Sequence, residues 1–167
     1  MPILDEHTLD LVSHSADQTR RLGARLGVLL RARDTVCLEG ELGTGKTCLA
    51  QGVGQGMGIG EPITSPTFTL ICEHSPPPPA PVLYHIDLYR LHTPVNEALA
   101  FGLDEYLESS GVCLIEWADR IRAILPDERL WITLSHVDPS KRGIVLAATG
   151  RRHSELLQEF RRSAFGM

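Results

Sequence analysis

One stretch constrains this chain more than any other: Gly40-Glu41-Leu42-Gly43-Thr44-Gly45-Lys46-Thr47. It matches the phosphate-binding P-loop pattern G-x-x-x-x-G-K-[ST] at every fixed position. Glycines allow a tight turn and bring backbone N–H groups close to phosphate oxygens. Lys46 is then placed to set an ammonium against the β- and γ-phosphates, and Thr47 to offer its hydroxyl to Mg²⁺. A helix opening near Gly45 adds the positive end of its dipole. Thr35-Val36-Cys37-Leu38 reads as a short buried strand entering the loop, and residues 47–53 as the helix leaving it. The competing reading is a glycine-rich turn with an incidental lysine. Only Lys46 and Lys141 are lysines among 16 basic residues, so arginine is the default cation and a lysine here is selective.

This motif predicts an α/β chain: a P-loop NTPase-like three-layer sandwich with a central, mostly parallel sheet and an antiparallel hairpin. At 167 residues, 1–167 is expected to be a single P-loop ATPase domain with a real core. The net charge of −5 argues against a nucleic-acid footprint, so no DNA is expected and any RNA would be met through a partner. Residues 1–10 lack the basic start and apolar run of a signal peptide, and no apolar stretch reaches membrane-spanning length. Cys37, Cys48, Cys72 and Cys113 form no C-x-x-C pair and read as reduced, buried small hydrophobes. A cytoplasmic location is the expectation, with no membrane contact.

Along the chain, Ser15-Ala16-Asp17-Gln18 has the form of a capping box. Leu22, Leu26 and Leu29 follow at helical spacing, with Arg20, Arg21 and Arg25 available to face water. Gly56, Gly58 and Gly60 mark the exit from the P-loop helix. In residues 63–70, Thr64, Ser65, Thr67 and Thr69 crowd a short segment in which Pro66 forces Ser65 to be extended. A loop sensing the γ-phosphate stands there in nucleotide switches, although threonine also suits a plain strand. Residues 68–73 and 81–88 predict two strands joined by a stiff, exposed loop containing Pro76, Pro77, Pro78 and Pro79.

Two acids end apolar strands: Asp87 after residues 82–86, and Glu116 after residues 112–115. Either could present a carboxylate to Mg²⁺ or its water shell. The alternative is a strand-end acid bonded to backbone, Arg90 or Arg120. His85 reads as packed and hydrogen-bonded rather than catalytic, and Trp117 as core more readily than as a ring on the nucleotide. Residues 94–100, 102–109 and 119–125 predict short helices. Residues 130–137 and 143–148 alternate as two late strands with a turn at 138–143. A last helix runs from His153 to Phe165 with Leu156, Leu157 and Phe160 on one face. Arg151, Arg152, Arg161 and Arg162 beside it read as a solvated basic face.

In this order the motifs resemble the TsaE (YjeE) family of bacterial P-loop ATPases. The resemblance rests on residues 40–47, on Ser65-Pro66-Thr67-Phe68-Thr69-Leu70, and on Tyr84-His85-Ile86-Asp87-Leu88-Tyr89-Arg90-Leu91. Gly102-Leu103-Asp104-Glu105-Tyr106, Leu114-Ile115-Glu116-Trp117-Ala118-Asp119 and Leu125-Pro126 complete it. Ala118 stands where many relatives carry proline. The resemblance implies an ATPase that acts with a TsaB–TsaD heterodimer in making threonylcarbamoyladenosine next to the anticodon of tRNA, meeting tRNA only through that complex. It implies ATP and Mg²⁺ as ligands, with Thr47 and Glu116 on the metal, Asp87 near it, and Ser65–Thr67 as the switch.

The combined expectation gives catalytic roles to Lys46, Asp87 and Glu116. Nucleotide contacts fall to Glu41, Leu42, Gly43, Thr44, Gly45, Lys46, Thr47, Ser65, Thr67 and Trp117. No arginine stands out as a finger, so turnover by the isolated chain is expected to be slow. The rival readings are a small-molecule kinase, which needs an acceptor site and an arginine-rich lid, and a non-hydrolysing ATP-binding module. No N-K-x-D segment supports guanine recognition.

Overall fold

The computed structural model describes residues 3–4, 6–64 and 70–166. The described strands form one eight-stranded sheet in the order β1-β2-β8-β7-β3-β6-β5-β4. Its members are β1 (Ile3–Leu4), β2 (Thr8–Ser13), β3 (Thr35–Glu39), β4 (Ile71–His74), β5 (Leu83–Asp87), β6 (Val112–Glu116), β7 (Arg129–His136) and β8 (Arg142–Thr149). The expected parallel sheet is its middle, where β7, β3, β6 and β5 run side by side in one direction. The antiparallel part extends further than a hairpin: β1, β2 and β8 continue beyond β7, and β4 closes the other margin.

Burial explains this division. Residues 112–116 of β6 are all buried, as are 35–38 of β3, because helices cover both faces of the centre. In β2 and β8 buried residues alternate with more exposed ones, as antiparallel strands covered on one face allow. Helices α1 (Ala16–Leu29), α2 (Lys46–Met57) and α5 (Arg151–Phe165) cover one face, packing on Val36, Leu38, Leu114 and Ile132. On the other face α3 (Pro94–Ala100), α4 (Leu103–Leu107) and a kinked 3-10 segment (Ala118–Ile124) cover Cys37, Ile86, Cys113 and Ile115. No helix among the described residues is long and apolar enough to cross a membrane.

The capping box is present: the Ser15 hydroxyl accepts from Gln18 N, and the Gln18 side chain reaches back to His14 N. Of the arginines expected to face water on α1, Arg20 instead lies half-buried, donating to Gln51 of α2 and to Asp17. What joins α1 to α2 is a facing pair of glycine stripes, Gly23 and Gly27 against Gly52 and Gly56. A methyl at Gly23 would lie 2.3 Å from Leu49 O, and one at Gly56 would lie 2.1 Å from Ala24 O. The helices therefore touch backbone to backbone.

Arg152 corrects the reading of the C-terminal helix as a solvated basic face. Its guanidinium forks onto Asp34, Nε to Oδ1 at 3.0 Å and Nη2 to Oδ2 at 2.8 Å, and also reaches Leu29 O. Arg151 keeps to the surface with Glu155, while Arg161 donates to Gln158. Two further expectations change. Cys37 and Cys113 are buried, which pushes both thiols up to about 12, but Cys48 and Cys72 are half-buried. The proline loop is not wholly exposed either, because Pro76 is buried.

Beside Arg152, buried His153 accepts a hydrogen bond from Thr35 N, 3.1 Å from Nε2, at the start of β3. Burial pushes its pKa below the ordinary 6.5; Asp34 opposes the shift and Arg152 adds to it. The fold thus favours the neutral ring. Its contribution is complete above 6.5 and is lost as pH falls through the lower folded value. Melting temperature should therefore drop as pH falls from 6.5 towards that lower value. His153→Gln, which keeps an acceptor but does not titrate, should show a shallower drop, and an equal slope in both proteins would contradict the assignment.

Candidate functional site

The P-loop leaves the C-terminal end of β3 and enters α2, and its turn depends on glycine. Gly43 and Gly45 have φ of 79° and 101°, in the left-handed region that favours glycine. At Gly40 a methyl would lie 2.6 Å from Leu134 O and 2.7 Å from Thr44 Oγ1. Buried Thr44 closes the loop by donating from its hydroxyl to Glu41 O at 2.7 Å. Gly45 caps α2 without any side-chain hydrogen bond, so the cap residue itself takes none of the helix's first-turn N–H groups. Thr47 is half-buried in that first turn, while Glu41 and Leu42 are exposed at the tip. His136 at the end of β7 lies 3.3 Å from Leu42 O.

Lys46 is 5% exposed. Its ammonium donates to the carbonyls of Gly40 at 2.5 Å and Glu41 at 2.8 Å, and sits 4.2 Å from the centre of the Trp117 ring. Burial pushes its pKa below the usual lysine value; Glu116, Asp87 and Asp119 pull it back up. These carboxylates arrive by sheet topology. β3 pairs with β6 so that Leu38 lies opposite Glu116, and β6 pairs with β5 so that Glu116 lies opposite Asp87. The loop and both acids therefore stand at the C-terminal ends of three adjacent parallel strands, where open α/β sheets bind ligands.

Glu116 is 2% exposed and meets His85, whose Nε2 lies 2.6 Å from Oε2. Asp87 is half-buried, and its Oδ1 accepts from Tyr89 N. Trp117 follows Glu116 with φ 62°, a left-handed turn rare for a bulky residue, and its ring also packs on Tyr89 with centroids 5.1 Å apart. Arg120, considered as a partner for the acids, instead reaches the carbonyls of Leu88, Tyr89 and Leu91. Arg122 covers the Trp131 ring and pairs with Glu39.

Glu41 to Thr47, Asp87, Glu116 and Trp117 are thus gathered at one sheet edge. Ser65 and Thr67 lie outside the described residues. Asp119 and Tyr89 had not been singled out; the Lys46 surroundings reveal the first, and the Trp117 contact the second. The donor set fits a small hard cation: Thr47, Glu116 and Asp87 offer oxygen only, as Mg²⁺ prefers. The glycine-capped helix start and the left-handed turns at Gly43 and Gly45 fit a polyphosphate.

Comparison with known proteins agrees with this architecture. The chain is 38% identical to the tRNA threonylcarbamoyladenosine biosynthesis protein TsaE of Bacillus subtilis over 146 residues, covering 87% of this chain and 89% of that one. It is 40% identical to the protein of the same name from Treponema pallidum over 136 residues, covering 81% and 98%. The crystal structure of Bacillus subtilis YdiB superposes with a TM-score of 0.77 at 33% identity, covering 97% of both chains. The profile of the family described as "Threonylcarbamoyl adenosine biosynthesis protein TsaE" matches residues 13–144, and the chain belongs to that family.

Proposed function

We propose that this protein is a Mg²⁺-dependent ATPase and nucleotide switch that supports a TsaB–TsaD pair in forming threonylcarbamoyladenosine next to the anticodon of tRNA. The carrying observation is the register that sets Glu116 and Asp87 at the ends of β6 and β5, beside the β3 strand whose P-loop bears the buried Lys46. The tRNA role is supported by the names of the relatives, and the partner pair by the family resemblance.

In this reading the turn at Gly40 to Gly45 cradles phosphate oxygens with backbone N–H groups. Lys46 stabilises negative charge on the transferring phosphoryl group. Thr47 and Glu116 would hold Mg²⁺, with Asp87 beside it or orienting the attacking water. When bound, Mg²⁺ supplies charge neutralisation across the phosphate oxygens. Trp117 screens the pocket and contacts the nucleotide. Ser65 to Thr67 is assigned the switch role from the sequence. Arg120 and Arg122 are engaged elsewhere, which accords with a site completed by a partner.

The test is ATP hydrolysis by the purified chain, alone and with the TsaB–TsaD pair. Slow turnover should rise at least about tenfold with the pair, a modest part of what completing a phosphoryl-transfer site in trans can supply. Turnover indifferent to the pair would remove the tRNA-modification role and leave a plain ATPase.

A further inference from the structure

His85 is a fully buried polar side chain that the proposed chemistry leaves unused. It stands two residues before Asp87 on β5 and so projects from the same face of the sheet. Leu114 of β6 lies opposite His85, which puts Glu116 diagonally across that face. This register brings Nε2 to 2.6 Å from Oε2 of Glu116. A carboxylate can only accept, so in this pair Nε2 is the nitrogen that donates, while the other ring nitrogen, Nδ1, is buried with no hydrogen-bond partner among the described residues.

Glu116 needs such a donor. It lies directly opposite Asp87, and like charges facing each other across a strand pair repel. A glutamate carboxylate also turns easily about its last torsion. Without a fixed donor, a buried carboxylate facing a second one would rotate away. We propose that His85 is the positioning residue for Glu116. Its N–H commits Oε2 and holds the carboxylate in one orientation, leaving Oε1 to meet Mg²⁺ at the end of β6. This assignment rests on the proposed role of Glu116 at the metal.

Three variants test it: His85→Gln, whose amide N–H has a similar reach, His85→Asn, whose amide falls short, and Glu116→Gln. The readout is affinity for a non-hydrolysable ATP analogue by calorimetry, in EDTA and in saturating Mg²⁺, beside melting temperature. His85→Asn should lose about tenfold or more of the Mg²⁺-dependent gain in affinity, the usual effect of removing a partner that orients a metal ligand. Its affinity in EDTA should be unchanged, and His85→Gln should keep most of the gain. Equal gains in the Asn and Gln variants, or a parallel loss in EDTA, would reduce His85 to packing and overturn the proposal. If His85→Asn does not fold, His85→Met fills the volume without a donor and takes its place. Failure of every variant to fold, His85→Gln included, would also overturn it. A Mg²⁺-dependent gain that survives Glu116→Gln would instead refute the metal role of Glu116 itself.

Discussion

Lys46→Met should lower ATP hydrolysis at least about a hundredfold, the scale seen when one preorganised charge-stabilising donor is removed. The fold should survive, because methionine has a similar unbranched stem and suits a buried position. The size of the loss follows from what surrounds the ammonium. Glu116, Asp87 and Asp119 all act on Lys46. Without the ammonium, an anionic polyphosphate would approach these acids with only Mg²⁺, backbone N–H groups and the helix dipole to offset them. A dipole contributes about 1 kcal/mol at such a site, which falls well short of the lost ammonium. Steady-state hydrolysis beside thermal melting separates the two effects. Near-normal hydrolysis by a folded Lys46→Met protein would sink the ATPase assignment.

The second large effect concerns stability. In Gly52→Ala the new methyl would fall 2.0 Å from Arg20 O and 2.9 Å from Ala24 N, both backbone atoms. Alanine is the better helix former by about 1 kcal/mol, which alone would stabilise α2. Forcing two helix backbones apart costs about 3 kcal/mol or more. The clash wins, with a net loss of about 2 kcal/mol, or roughly 4–8 °C of melting temperature for a chain of this size. Gly60→Ala is the control, since nothing lies within 4 Å of its added methyl. Urea denaturation should show a lower midpoint for Gly52→Ala and a change near zero for Gly60→Ala. Equal midpoints would mean that α1 and α2 slide apart freely.

The features legible in the sequence were those encoded over a few residues. The P-loop, the Ser15 cap, both hairpins and the strand-end acids each declare themselves locally. The strand β2 has only a blurred local signal: Leu9, Leu11 and Ser13 are buried in alternation, but polar Ser13 faces inward and apolar Val12 outward. What the sequence could not show was who meets whom. Gly23 and Gly27 at four-residue spacing, and Gly52 and Gly56 likewise, suggest close packing only once the two helices are known to touch. Arg152 read as one more basic surface residue until the chain brought Asp34 beneath it. His85 looked like an ordinary strand histidine because its partner, Glu116, depends on the register of β5 with β6. The electrostatics of Lys46 were half legible: the motif names the cation, but Asp119 enters through the turn at Trp117.

The order of the strands also bears on how the protein is made. β3 carries the P-loop and is among the first strands to be synthesised, yet both its neighbours, β6 and β7, are encoded in the last third of the chain. Val36 waits for Leu114 on one side and Leu130 on the other. Pairings this distant in sequence form slowly, because a long loop must close before any contact rewards it. A nascent chain emerging from the ribosome therefore holds a complete P-loop sequence long before it has a nucleotide pocket. Nucleotide binding should appear late and abruptly during translation, once β7 has taken its place.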